Sequence, residues 1–289
     1  MLHFVALPLI GLIGTTLLAG RAVDRLAPVA AARWNAVLLL AVIVAAVPTF
    51  WMLGLSGLAH FGVSSSLGDW SEHLLADQPV VSTAIGGGAL VMAAVGAVRT
   101  TGVVRTHLAV RCTGTRRFHL VETSDVFAYT LPGPAGTIAI SQGLRDSLDD
   151  SEYDFVVAHE QSHAGHRHDR YLLLALVATA VVPFMRPTTD RLRFHLERWA
   201  DEDAVRVTAA PRRFAARTIA RVALAQSPGA AVLGVATHGV AARAAALTHD
   251  VAPAGLARRL QTVGLVGVTV ALSAWQLHHT AEYTLHTMV

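Results

Sequence analysis

The stretch that decides the reading of this chain is Val156-Val157-Ala158-His159-Glu160-Gln161-Ser162-His163. On a helix, residues four apart share a face, so the imidazoles of His159 and His163 can take two corners of a tetrahedral Zn²⁺ site. Glu160, next to the first imidazole, then reaches the water that would attack a peptide, as a general base. Upstream, residues 147–151 (Ser-Leu-Asp-Asp-Ser) supply N-cap candidates and acidic groups for the start of that helix. A His-rich helix end without metal is the competing interpretation, because His166 and His168 follow and the chain holds 15 His.

A catalytic zinc site takes a third protein ligand and leaves a position open. The metzincin continuation would need Gly at 166 and His at 169, where this chain has His166 and Asp169, so that class is rejected. Glu197 is the best remaining ligand candidate, with His195 as its rival. Asp201 shares a helical face with Glu197 and can fix a ligand histidine by accepting its second N–H.

Outward from this motif the composition is that of a membrane protein. Of 289 residues, 53% are hydrophobic and 15% charged, and mean hydropathy is +0.47; a soluble chain carries about 25% charge. A bilayer core takes roughly 20 helical residues. Residues 2–20, 36–59 and 80–98 are uncharged runs of that order, and 262–277 is a shorter fourth with Trp275 near one end. Gly86, Gly87 and Gly88 in the third run are tolerated where membrane helices pack closely. The first run has no basic start and a long apolar core, which favours a span over a cleaved signal peptide.

All 23 basic residues are Arg. The lack of Lys excludes Schiff-base, P-loop and Ser-x-x-Lys chemistry, and the single Cys112 excludes an internal disulfide. Arg21, Arg25 and Arg33 lie between the first two runs, Arg99, Arg105, Arg111, Arg116 and Arg117 follow the third, and Arg258 and Arg259 precede the last. The loop 61–79 instead holds Asp69, Glu72 and Asp77. The positive-inside rule therefore places both termini outside and residues 99–261 in the cytoplasm of a multi-pass cell-membrane protein. Dispersed as topology signals, the Arg residues form no nucleic-acid patch, so the partners are the lipid bilayer and a protein or peptide substrate, with no direct nucleic-acid contact. A homo-oligomer is compatible with these features.

Within 99–261, residues 118–122, 127–131 and 137–141 read as short strands, the last two joined by the turn-rich Pro132-Gly133-Pro134-Ala135-Gly136. If Thr137, Ile138, Ala139, Ile140 and Ser141 form a sheet edge, a peptide substrate can add to it as a strand. The apolar run 171–185 would reach only about 22 Å as a helix. A single crossing there would separate Glu197 from the histidines, so this insert is expected to dip into the bilayer and return. His238, Arg243 and Tyr171 are the available oxyanion donors. No charged residue lies inside the four runs, which disfavours an ion transporter.

The order of these features, from Phe127-Ala-Tyr129 and Gly136-Thr-Ile-Ala-Ile-Ser141-Gln-Gly-Leu144 through His159-Glu-x-x-His163 to Glu197-x-x-Ala-Asp201, resembles the gluzincin membrane metallopeptidases. Two related groups share it: the BlaR/MecR-type antirepressor peptidases, and the CAAX-protease and heat-shock membrane endopeptidases. The apolar insert and the 3+1 arrangement of spans look more like the BlaR/MecR type. The resemblance implies zinc at His159, His163 and Glu197 with Glu160 as base. It also implies a mainly α integral membrane protein: transmembrane helices in 1–98, a cytoplasmic zincin-like α+β metalloprotease domain with a small sheet in 99–261, and a last span with a short outside tail in 262–289. Cleavage of a transcriptional repressor follows from the same resemblance; membrane-protein quality control, or a non-proteolytic sensor with structural zinc, are the alternatives. With no Lys for acylation and little chain beyond 277, direct beta-lactam sensing by this chain is not expected.

Overall fold

The computed structural model describes residues 2–59, 79–114, 117–226, 233–248 and 255–286. The acidic loop read as outside, Arg116 and the side chain of His238 lie outside what is described.

Three long helices carry most of the apolar sequence: α2 (Pro28–Ala59), α3 (Pro79–Ala109) and α10 (Leu256–His286), preceded by α1 (Leu2–Val23). Within them Pro28–Gly54, Ala84–Ala109 and Leu256–Glu282 are long and apolar enough to cross a membrane. The described apolar part of α1 is Pro8–Val23, short of the roughly 20 residues a bilayer core takes. Three of the four expected spans are thus long and apolar enough among the described residues, and the first run, 2–20, is described only in part at its N-terminal end. Outward faces such as Val91, Val95 and Val98 on α3 and Val263 and Val268 on α10 are exposed, as lipid-facing positions are. Buried polar links join the bundle: Ser273 Oγ donates to the Ala41 carbonyl at 2.7 Å, and Gln276 Nε2 to Thr49 Oγ1 at 3.0 Å. Gly87 and Gly88 do not sit at a tight interface, since an added Cβ there would meet nothing within 4 Å. The close approach falls instead at Gly54, where a Cβ would stand 3.1 Å from Leu90 Cα, letting α2 and α3 touch backbone to backbone.

After α3 the chain forms β1 (Phe118–Val121), β2 (Ala128–Thr130) and β3 (Ile138–Ser141) in the order β1-β3-β2. β3 pairs parallel with β1 and antiparallel with β2. It is the central strand and all four of its residues are buried, so Thr137, Ile138, Ala139, Ile140 and Ser141 offer no free edge to a substrate. That expectation is corrected: the outer strands are β1 and β2. The β2–β3 loop needs glycine twice. Gly133 (φ 149°) runs against the Cys112 carbonyl, and Gly136 (φ 60°) lies so close to Ala164 that a Cβ would fall 2.8 Å from its methyl.

The motif helix is α5 (Asp150–Gly165), reached through the short α4 (Gln142–Ser147). Asp149 caps α5 in a capping box: the Glu152 N–H donates to Asp149 Oδ1 at 2.8 Å and the Asp149 N–H to Glu152 Oε2 at 3.1 Å. Then α6 (His168–Val181) runs out, a 3₁₀ turn at Pro183–Met185 reverses it, and α7 (Arg186–Thr208) runs back. Thr189 Oγ1 pins the hairpin, donating to the Ala175 carbonyl at 3.1 Å and meeting Thr179 Oγ1 at 2.8 Å. The chain returns after the apolar insert, which brings Glu197 back beside the histidines. One core shared by α1, α2, α6 and α7, including Leu12, Leu39, Ala178, Met185, Leu192 and Trp199, fixes the ligand-bearing α7 to the membrane helices. Helices α8 (Arg212–Ala225) and α9 (Leu233–Thr248) cover the other side of α5 through Phe155, Ala215, Ile219 and Leu247.

Candidate active site

His159 Nε2 and His163 Nε2 stand 3.1 Å apart, and Glu197 places Oε2 3.6 Å from the first and Oε1 3.5 Å from the second. Three ligands at about 2.0–2.1 Å from a tetrahedral Zn²⁺ are separated by about 3.4 Å, so the donor set fits that ion in spacing as well as in chemistry. His195, the rival ligand, points elsewhere: its Nε2 lies 2.9 Å from Asp24 Oδ1, tying α7 to the end of α1.

The remaining ring nitrogens are also engaged. Asp201, fully buried, puts Oδ1 3.0 Å from His159 Nδ1, the supporting position read from its place one turn after Glu197. His163 Nδ1 meets His168 Nδ1 at 2.8 Å. Arg243 on α9 holds the acidic pair together. Its Nε and one terminal nitrogen donate to Asp201 at 2.8 and 2.6 Å, and the other terminal nitrogen lies 2.7 Å from Glu197 Oε2. The guanidinium offered as an oxyanion donor is thus committed to two carboxylates, and Tyr171 packs edge-on against His168 and Trp199.

Charge at the site is arranged for a cation. Burial disfavours a charged His159, yet the hydrogen bonds to Asp201 and Glu197 outweigh it and raise its pKa to about 10. Burial, reinforced by charged His159, pushes His163 down to about 4. Glu197 is held well below the usual carboxylate range: burial opposes this, but His159 and Arg243 prevail. The two carboxylates thus favour positive charge at the His159 position, the sign of charge that a bound cation carries.

Glu160 is buried and its pKa is raised by that burial, against the pull of His159 and of a hydrogen bond from Thr130. Thr130 Oγ1 lies 2.8 Å from Glu160 Oε2 and 2.9 Å from the Glu160 carbonyl. Thr130 was not singled out from sequence; the alternation of β2, which puts Ala128 and Thr130 on one face, was the available signal. His159, His163, Glu197 and Glu160 line one cavity of about 1050 Å³, with Ala128–Thr130 on one wall, Val103 and Leu172 among its apolar residues, and Arg243 at its side.

A membrane-bound chain with a His-His-Glu zinc site and a buried glutamate beside it is a zinc metallopeptidase. Residues 109–186 match Peptidase family M48, a segment that contains both histidines and Glu160 and ends before Glu197. No curated protein and no solved structure matches the chain. The family match supports the metallopeptidase class without singling out the BlaR/MecR type.

Proposed function

We propose that the chain is an endopeptidase that cuts a protein substrate at the cytoplasmic face of the membrane, with the peptide laid along β2. The observation that carries this reading is Thr130. It sits on the outer strand β2 and holds the carboxylate of Glu160, so a peptide paired with that strand passes the base and the His-His-Glu trio together. Zn²⁺, when bound, polarises the scissile carbonyl and acidifies water. Glu160 takes a proton from the attacking water and passes it to the leaving amine, a role for which a raised carboxylate pKa is suited. Asp201 keeps the His159 imidazole aimed, and Arg243 keeps Glu197 from swinging away. Asp201 and Arg243 are positioning residues.

The cytoplasmic placement of the site and the return of α6 within the bilayer rest on the Arg distribution and on the packing of α6 against α2 and α3. Cys112, at the end of α3, is the probe: an impermeant thiol reagent leaves it unlabelled in intact cells if the reading is right, and labels it without permeabilisation if the orientation is reversed. Regulated cleavage of a transcriptional repressor is the biological role the sequence resemblance supports, with membrane-protein quality control as the second reading. Expression of Glu160→Gln, which keeps the ligands and loses the base, should retain uncut substrate for identification; recovery of a repressor supports the first role and of misfolded membrane proteins the second. Unchanged substrate turnover in cells carrying Glu160→Gln would favour the non-proteolytic scaffold.

A further inference from the structure

The two ligand histidines are supported in different ways. His159 Nδ1 faces a carboxylate, Asp201, whereas His163 Nδ1 faces another imidazole, His168 Nδ1, at 2.8 Å. A hydrogen bond between two ring nitrogens needs one donor and one acceptor. With His163 Nε2 turned to the metal position, His163 Nδ1 carries the proton, so His168 Nδ1 must accept and the His168 proton sits on Nε2. His168 is 1% exposed and its Nε2 has no hydrogen-bond partner among the described residues, which fits a group retained for its acceptor and not for a network of its own.

The local backbone is shaped for this contact. Helix α5 ends at Gly165, and Arg167 adopts a left-handed conformation (φ 56°) that L side chains other than Asn and Asp rarely take. That residue turns the chain so that α6 starts at His168 with its ring back against His163, at 4.8 Å between centroids. Trp199, from the same helix as Glu197, packs against His168 at 4.9 Å and holds it there.

We infer that His168 is a positioning residue that fixes the tautomer and ring orientation of His163 through a neutral Nδ1 acceptor, so that one ligand histidine has an anionic support and the other a neutral one. The inference rests on His163 being a metal ligand. A neutral acceptor leaves His163 a weaker donor to the metal than a carboxylate would, which keeps more Lewis acidity on the ion.

Two substitutions separate acceptor from packing. His168→Phe keeps an aromatic ring against Trp199 and Tyr171 and removes the acceptor; His168→Asn can put a carbonyl oxygen where Nδ1 stands and removes the ring. The full-length chain in detergent, stripped of metal, is titrated with Zn²⁺ against a chelator and with Co²⁺ by visible absorption, and its metal-free melting is followed separately. The expected result is about 10–100-fold weaker Zn²⁺ binding and altered Co²⁺ bands in His168→Phe, with most of the affinity and the bands recovered in His168→Asn. The reverse order, with His168→Phe like the wild type and His168→Asn impaired, makes His168 a packing residue and overturns the inference. Should His168→Phe fail to fold, His168→Leu carries the same comparison. His163→Ala is the control: if it binds metal as the wild type does, the ligand assignment itself falls, whereas loss there with wild-type behaviour in His168→Phe sinks only the role of His168.

Discussion

Replacing Thr130 by Val keeps the shape of the side chain and removes the one hydroxyl that donates to Glu160. The hydroxyl oxygen lies 2.8 Å from Oε2 and 2.9 Å from the Glu160 carbonyl oxygen, so a single donor is shared between two acceptors. A hydrogen bond to a charged group contributes about 1.5–3 kcal/mol, and sharing puts this one near the lower end, at about 1.5 kcal/mol. Because that bond favours the ionised carboxylate, its loss raises the pKa of Glu160 by about one unit. The ionised base is the active form, so the acid limb of the kcat/KM profile moves up by about one pH unit, and the rate on that limb falls about tenfold while the alkaline plateau changes little. The assay is a pH series of peptide or unfolded-protein cleavage by wild type and Thr130→Val, with zinc content measured in parallel. An acid limb that stays in place, or one that moves to lower pH, would refute the assignment of Thr130 and with it the alignment of β2 with the base.

Other outcomes follow from the same geometry. Glu197→Ala should lose zinc while His195→Ala retains it, by metal analysis of the purified chains, since only the former reaches both histidines. Asp201→Asn breaks a buried pairing with Arg243, for which about 3–5 kcal/mol is usual, and should lower the melting temperature as well as weaken zinc binding. In the metal-free chain, His159 has a raised pKa, so its contribution to stability is present below about pH 6.5 and is lost as pH rises toward about 10. His163, lowered to about 4, destabilises the fold as pH falls from about 6.5 to that value, because the unfolded chain takes up the proton first. Metal-free melting temperatures should therefore decline in both windows; a flat profile would show that His159 is not held by Asp201 and Glu197, and that His163 is not buried beside a charged His159, as described.

The parts of the site that sequence made legible are those set by local spacing. His159 and His163 meet because four residues make one helical turn, and Asp201 supports the site because it follows Glu197 by the same interval. The strands were placed to within a residue or two, since turn residues bound them. Sheet order was not legible: the alternation of 137–141 fits a central strand as well as an edge, and only the parallel pairing of β3 with β1 decides which it is. Thr130, His168 and Arg243 reach the site through a strand crossing α5, a left-handed turn at Arg167 and a helix packed from the far end of the domain. Of these only Thr130 leaves a periodic trace, the alternation of β2, and that marks a face of the strand without saying what it meets. At the end of α1, the ion pairs of Asp24 with Arg191 and His195 tie the first helix to α7, a contact that hydropathy alone does not reveal.

The central claim is that the His-His-Glu site holds zinc and that Glu160 uses it for hydrolysis. Zinc content and cleavage of an unfolded protein, measured on the same preparations of wild type and Glu160→Gln, test both halves at once. The expected result is an equal, near-stoichiometric zinc content in the two proteins and cleavage by the wild type alone. Cleavage by Glu160→Gln at the wild-type rate, or a wild type that cleaves with no metal bound, would contradict it.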